Sequence, residues 1–333
     1  MSKSILLTGG AGYVGSHAYI ALVEAGYNPI IFDNFGNSHS SVLDRLAKIT
    51  NTIPEFINGS IADRDRLEKI FKKYEPCAVM HFAGLKAVSE SVKKPLDYYN
   101  NNVTGTLNLL AAMQAAHVKT LVFSSSAAVY GSPTAAHLRE DAPCTPTCPY
   151  GRTKLMIETI LKDLSQAEPD WRIACLRYFN PGGAHVSGLI GDDPEGIPTN
   201  LIPDISRVAQ GLQEYLPVFG NDYPTLDGTG VRDYIHVMDL VEGHIAALNY
   251  LHDHEGILTL NLGTGHGVSV LQMVHAFEKA SGKKIPYQIE PRRPGDVAEC
   301  WADPALAYEK LGWKTHRTLN EICEDHWRWA SKL

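Results

Sequence analysis

Residues Thr8 to Gly15 read TGGAGYVG, four glycines in eight positions directly after the apolar run Ser4-Ile5-Leu6-Leu7. Glycine is unfavourable inside regular structure, so such a cluster marks either backbone with positive φ or close approach of another group to the main chain. The apolar run reads as a buried strand. Val14, Ala18, Ala21, Leu22 and Ala25 recur at helical spacing from Tyr13 to Ala25, so a helix follows. Strand, glycine turn and helix together form a site whose backbone N–H groups face a diphosphate. Gly10, Gly12 and Gly15 satisfy G-x-G-x-x-G, and Gly9, Gly12 and Gly15 give an alternative three-residue spacing. A second apolar strand, Pro29-Ile30-Ile31-Phe32, ends in Asp33, 18 residues after Gly15. A carboxylate there suits the adenosine ribose hydroxyls and repels a 2′-phosphate, which favours NAD over NADP.

The alternation continues along the chain. Residues 55–57, 77–82, 120–124 and 172–177 read as strands, and 64–74, 95–116 and 150–165 as helices. This order implies a doubly wound parallel α/β sheet. At Asn180 the rhythm breaks into PGGAHVSGLIGDDPEGIP, residues 181–198, taken as the crossing into a second, smaller mixed α/β lobe that binds substrate. The expected division is residues 1–180 and 181–333, with 237–251 packing back on the first unit. Helices are expected at 200–210, 237–251, 269–280 and 320–329. Gly263, Gly265 and Gly267 imitate the opening loop, but no acid follows at the required distance, so they read as a turn.

The 333 residues carry 30 basic and 37 acidic side chains, a net charge of −7, and no basic run, which argues against nucleic acid as a partner. The 44% hydrophobic content fills a globular core, yet no apolar stretch is long enough to span a membrane. Met1 to Lys3 lead straight into the first strand, and the six cysteines lack the spacing of a disulfide framework, so the expected compartment is the cytoplasm. Cys144 and Cys148 have no second Cys or His pair nearby, and the histidines form no H-E-x-x-H, so no metal site is expected.

Tyr150-Gly151-Arg152-Thr153-Lys154 opens a helix, which puts Tyr150 and Lys154 on one face. A phenol is a poor base at neutral pH, but a neighbouring ammonium and an oxidised nicotinamide ring both favour the phenolate. Tyr150 could then take a proton from a substrate hydroxyl while hydride leaves for the cofactor. Upstream, LVFSSS ends a strand in a serine run, and Ser126 is placed to bond the same reacting oxygen.

TGGAGYVG, HFAGLKAV (81–88), SSSAAVYG (124–131), YGRTK (150–154), LRYFNPGGA (176–184) and GTGVRDYIHVMDL (228–240) together resemble the extended short-chain dehydrogenase/reductase superfamily, over essentially the whole chain. Within it the likeness is to the nucleotide-sugar 4-epimerases. The resemblance implies a Rossmann fold, retained NAD, UDP-hexose substrates, a role in galactose metabolism and a homodimer. Helices 95–116 and 150–165 carry apolar residues on more than one side, including Leu107, Leu110, Leu155 and Ile160, which suits either a dimer face or buried helices. By resemblance Tyr150 deprotonates the sugar 4-hydroxyl, Lys154 lowers the phenol pKa and Ser126 is the catalytic serine. NAD would be held by Gly9, Gly12, Tyr13, Val14 and Gly15 of the loop, and by Asp33, Asn34, Asn37 and Ser38 after the second strand. Ser60, Ile61, Phe82, Ala83, Gly84, Lys86 and Asn101 would add contacts, as would Ser124, Tyr150, Lys154 and Tyr178. UDP-sugar would meet Ser126, Tyr150, Asn180, Asn200, Leu201, Phe219, Arg232, Arg293, Asp296 and Cys300. Arginine forks suit diphosphate oxygens, and a carboxylate suits ribose hydroxyls.

Three positions depart from the pattern. Ser60 replaces an aspartate that touches the adenine amino group, and Ala128 replaces a threonine after the serine run. Cys300 stands where members restricted to unmodified hexoses carry tyrosine, so the resemblance implies room for a 2-acetamido group and activity on UDP-GlcNAc and UDP-GalNAc as well. Two rival readings are a nucleotide-sugar 4,6-dehydratase and a non-catalytic NAD-sensing protein. Dehydratases place an Asp-Glu pair after the catalytic hydroxyl residue, where this chain has Ala127 and Ala128. The sensor reading conflicts with the presence of Ser126, Tyr150, Lys154 and both arginines.

Overall fold

In the computed structural model, which describes residues 3–133, 135–194, 196, 200–293 and 296–333, seven parallel strands form one sheet. Their order is Gly256–Leu262, Arg172–Tyr178, Thr120–Ser124, Ala78–His81, Ser4–Thr8, Asn28–Asp33 and Glu55–Asn58. The central strands are apolar at successive positions because both faces are covered, whereas the edge strand Glu55–Asn58 is only partly buried. Alternation assigns Ile5, Leu7, Ile31, Met80 and Val122 to one face, under helices Tyr13–Glu24, Ser41–Thr50 and Val237–Tyr250. Leu6, Ile30, Phe32, Val79 and Leu121 face helices Arg64–Tyr74, Gly105–Ala115 and Pro149–Ala167 on the other. The chain order reverses between Ser4–Thr8 and Ala78–His81, the switch point where ligands bind in open α/β sheets.

The doubly wound parallel sheet expected from the sequence is present, with differences in detail. Residues 256–262 pair with the full length of Arg172–Tyr178, so the segment returning to the first unit runs beyond 251. Helices Ser41–Thr50, Val88–Lys93 and Ala305–Leu311 escaped the sequence reading. The expected 95–116 helix is interrupted by a π-helical stretch, Tyr99–Thr104, between Pro95–Tyr98 and Gly105–Ala115. Such a stretch inserts an extra residue into the turn and is frequent at functional sites.

The remaining residues build smaller sheets and a three-helix layer. Val231–His236 lies between Gly267–Ser269 and Glu299–Ala302, also pairing with Asn180–Gly182. Helices Leu201–Ala209, Val270–Ser281 and Leu319–Ala330 enclose a core containing Ile205, Leu216, Met273 and Phe277. Of the 181–198 crossing, residues 195 and 197–198 lie outside the described residues. No helix among the described residues is long and apolar enough to cross a membrane.

The Gly263–Gly267 turn has a definite partner. The fully buried Asp233 carboxylate accepts the N–H groups of Thr264 (2.9 Å), Gly265 (3.1 Å) and Ala302 (3.1 Å) and the Thr264 hydroxyl (2.7 Å). A Cβ on Gly263 would stand 2.5 Å from that carboxylate, which explains the glycine. Replacing Asp233 with Asn turns one acceptor into a donor facing N–H groups. Asp233→Asn is expected to destabilise the protein by about 2–4 kcal/mol in denaturant unfolding, through lost charge-assisted hydrogen bonds.

Candidate active site

The opening loop works as its glycine pattern suggests. Gly9 has φ +72°, and a Cβ there would lie 2.5 Å from the Ala83 nitrogen. A Cβ on Gly15 would lie 2.2 Å from the Gly9 carbonyl oxygen, so the helix start touches the loop's own backbone. Gly12 differs: a Cβ there meets only the Gly9 oxygen, at 3.4 Å. Gly12 is the N-cap of Tyr13–Glu24, and no side chain caps that helix, so its first N–H groups and positive dipole end are available to an anion. Asp33 closes the same region, accepting the Ala11 N–H at 3.0 Å and the Phe35 N–H at 2.8 Å. Burial raises the Asp33 pKa, and these hydrogen bonds oppose the shift.

These elements border a cleft with about 1030 Å³ of empty space, solvent mouth included. Its wall brings together Gly9, Gly12, Tyr13, Val14, Gly15, Asp33, Asn34, Asn37 and Ser38 with Ser60, Ile61, Phe82, Ala83, Gly84, Lys86 and Asn101. Tyr150, Lys154 and Tyr178 line the same cleft. A glycine-lined helix N-terminus at one part and a carboxylate at another fit a dinucleotide. Asn101 reaches the cleft from the π-helical stretch, and its amide donates to Asn102 Oδ1 at 2.9 Å. Lys86 Nζ stands 3.6 Å from the buried Asp192 carboxylate, a contact the sequence did not reveal. Ser124 does not line the cleft: its hydroxyl is paired with His244 Nε2 at 2.8 Å, while its carbonyl accepts the Lys154 ammonium at 2.7 Å.

Tyr150 and Lys154 lie at the start of Pro149–Ala167, both nearly fully buried. The helix approaches the serine turn because residue 151 is glycine; a Cβ there would be 2.5 Å from the Ala128 carbonyl oxygen. Ser126, extended at φ −157°, accepts the Ala128 N–H at 3.1 Å. Ala127 and Ala128 occupy the 3₁₀ turn that follows. Burial raises the Tyr150 pKa and the facing Ser126 hydroxyl lowers it, with a net upward shift. Burial pulls Lys154 down to about 8, with Glu158 acting the other way. Lys154 Nζ lies 6.0 Å from the Tyr150 ring centroid and 4.8 Å from that of Phe123. The expected depression of the Tyr150 pKa is therefore absent from the protein on its own, because desolvation outweighs its neighbours.

A second cleft lies among the smaller sheets and the three-helix layer. Leu201, Phe219, Arg232, Arg293 and Asp296 all line it. Arg293 Nε donates to Asp296 at 2.9 Å, Arg232 stands 4.0 Å from the same carboxylate, and the Arg293 guanidinium lies 4.7 Å from the Phe219 ring centroid. Asp204, Tyr223 and Tyr234 also line this cleft, although no sequence motif marked them. Asn180 and Asn200 are not among its lining residues: the Asn180 amide donates to the Asp233 carbonyl at 3.0 Å, and Asn200 is exposed at a helix N-cap. Cys300 is the strand-register partner of Arg232 and packs beside Val129, Tyr130, Leu138 and Phe179. Burial pushes its thiol up to about 11.

A family model described as GDP-mannose 4,6 dehydratase matches residues 6–326. UDP-glucose 4-epimerase of Yersinia pestis is 56% identical over 329 residues, covering 98% of this chain and 97% of that protein. The human UDP-glucose 4-epimerase is also 56% identical, covering 100% of this chain and 97% of its own. The chain belongs to the UDP-glucose 4-epimerase family. Among solved structures, the UDP-glucose 4-epimerase of Stenotrophomonas maltophila, with bound NAD and formylated UDP-arabinopyranose, superposes with a TM-score of 0.97 at 49% identity, covering 99% of this chain and 98% of that one. That of Bifidobacterium longum, in complex with NAD+ and UDP, gives 0.96 at 48%, with the same coverage. The dehydratase family model and the epimerase relatives share the superfamily. At the serine turn this epimerase-family chain has alanines in place of the dehydratase acid pair.

Two glycine variants separate loop folding from ligand contact. Gly15→Ala is expected to destabilise the protein by about 1–3 kcal/mol through overpacking. Gly12→Ala is expected to change stability by less than about 1 kcal/mol while weakening dinucleotide binding. Thermal unfolding and titration calorimetry on nucleotide-stripped protein check both.

Proposed function

We infer that this chain inverts the C4 hydroxyl of UDP-hexoses, interconverting UDP-glucose and UDP-galactose with retained NAD. The observation that carries the reading is that Tyr150 and Lys154 line the glycine-loop cleft, with Ser126 facing the phenol. NAD held along the cleft by residues such as Gly12, Asp33 and Lys154 would supply a reversible hydride acceptor for C4, so that the sugar could pass through a 4-keto form with no net redox change. The protein's own part is proton handling and anchorage. Tyr150 Oη takes the 4-hydroxyl proton, holds it while the keto sugar turns, and returns it to O4 as the opposite face of C4 is reduced. Ser126 bonds the same reacting oxygen. Lys154 is the resident cation, fixed by the Ser124 carbonyl, and its positive charge favours the phenolate that burial opposes. Arg232 and Arg293 grip the diphosphate, leaving the hexosyl group free to rotate.

The small Cys300 side chain in register with Arg232 supports a wider substrate range that includes UDP-GlcNAc and UDP-GalNAc. Exposed Val92, Leu96, Leu107 and Met156, carried by neighbouring helices, support a homodimer. The free state of all six cysteines supports a cytoplasmic location.

Purified protein without added NAD, incubated separately with UDP-galactose and UDP-GalNAc and resolved by anion exchange, is expected to convert both. Conversion of UDP-galactose alone overturns the acetamido claim. No conversion of either, even after NAD is supplied, overturns the epimerase reading. Tyr150→Phe is expected to lower kcat by about 10²- to 10⁴-fold while leaving UDP-sugar binding intact. Cys300→Tyr is expected to remove the acetamido activity alone; persistence of both activities removes the argument from pocket size.

A further inference from the structure

Glu158 lies one helical turn beyond Lys154 and two beyond Tyr150, on the same face of Pro149–Ala167, and it is nearly fully buried. Its carboxylate accepts the Ser125 hydroxyl. It also accepts both branches of the Arg177 guanidinium, from Nε at 3.0 Å and Nη2 at 2.7 Å. Arg177 is fixed in turn: its Nη1 donates to the Tyr130 hydroxyl (3.1 Å) and the Glu140 carbonyl (3.0 Å). Tyr130 donates to Asn261 at 2.7 Å. The network joins the helix to two strands and to the serine turn.

We propose that Glu158 is a positioning residue for the epimerase reaction, holding Ser125 so that the Ser124 carbonyl meets Lys154 and the Ser126 hydroxyl meets Tyr150. Ser125 is the link between those two contacts. Its backbone neighbours supply the acceptor for the Lys154 ammonium at 2.7 Å and the hydroxyl facing the Tyr150 phenol. A side-chain anchor on Ser125 therefore sets both at once, and the bidentate Arg177 fork fixes that anchor in direction as well as distance.

Glu158 also acts through its charge. Lys154 is faced by Tyr150 and Glu158 on its own helix and by His81 on the adjoining strand. Burial, with Lys154 adding to it, holds His81 neutral, down to about 3. Around Glu158 stand Arg177 and Cys175 on the Arg172–Tyr178 strand and Cys144 on the loop, and burial pushes both thiols up. Tyr130, against Arg177, is pushed up to about 12. The charges that count between pH 7 and 9 are thus those of Glu158, Arg177 and Lys154. Glu158 opposes the downward pull of burial on Lys154. Removing its charge lowers the pH at which the ammonium is lost.

The proposal rests on the epimerase reading, and wild-type turnover of UDP-galactose tests that reading separately. Glu158→Gln and Ser125→Ala, both as holoenzyme, are compared with wild type for kcat and KM from pH 6 to 10. Glu158→Gln is expected to lower kcat roughly 10- to 100-fold with KM little changed, and to move the alkaline limb of the kcat profile to lower pH. Ser125→Ala keeps the ion pair, so it is expected to lower kcat with that limb in place. Should the lone Arg177 charge prevent Glu158→Gln from folding, the Glu158→Gln/Arg177→Met double variant replaces it; this removes a neutral pair, so it is expected to lower kcat with the alkaline limb little moved. Wild-type kcat in Ser125→Ala or in the double variant, or an unmoved alkaline limb in folded Glu158→Gln, overturns the proposal.

Discussion

The amine of Lys154 is buried beneath the cleft and bonded to a carbonyl, not to a carboxylate. This one constraint organises its surroundings. Burying an ammonium without an opposite charge in direct contact is unfavourable, and the fall of its pKa to about 8 expresses that. What supports it is distributed: the Ser124 carbonyl at 2.7 Å, the Phe123 ring at 4.8 Å, and Glu158 one turn away.

The two parts of the chain meet around that cleft through specific contacts. The Tyr13 hydroxyl donates to the Gly183 carbonyl at 2.7 Å, tying the start of the first helix to the crossing segment. Asp192 pairs with Lys86 and Asp193 with Arg45, each at 3.6 Å, which ties residues 192–193 of the crossing segment to the first unit. Asp233 secures the strand that carries Arg232 and pairs it with the strand of Cys300. The arginine cleft is therefore referenced to the same framework as Tyr150.

Much of this was legible from the chain. Glycines at 9, 12 and 15, Asp33, and the Tyr150–Lys154 spacing are local signals, because each concerns a turn, a strand end or one helix face. Other features left no local trace. Gly151 looks ordinary until the Ala128 carbonyl is seen 2.5 Å from its missing Cβ. Ser124 reads like its two neighbours, yet its hydroxyl turns to His244, 120 residues away. Asp204, Tyr223 and Tyr234 join Arg232 and Arg293 only because strands and helices distant in sequence pack together. The π-helical stretch behind Asn101 is invisible to helical periodicity, since the apolar spacing resumes after it.

By itself the sequence determined the parallel doubly wound sheet, the glycine turn between its first strand and helix, and the placing of Tyr150 and Lys154 on one helix face. These follow from strand and helix periods and from residues within a few positions of one another, where local geometry dictates what can form. Tertiary structure decided which residues complete the arginine cleft, and that burial raises the phenol pKa. Those outcomes depend on desolvation and on contacts between distant segments, quantities that arise only when the chain is folded.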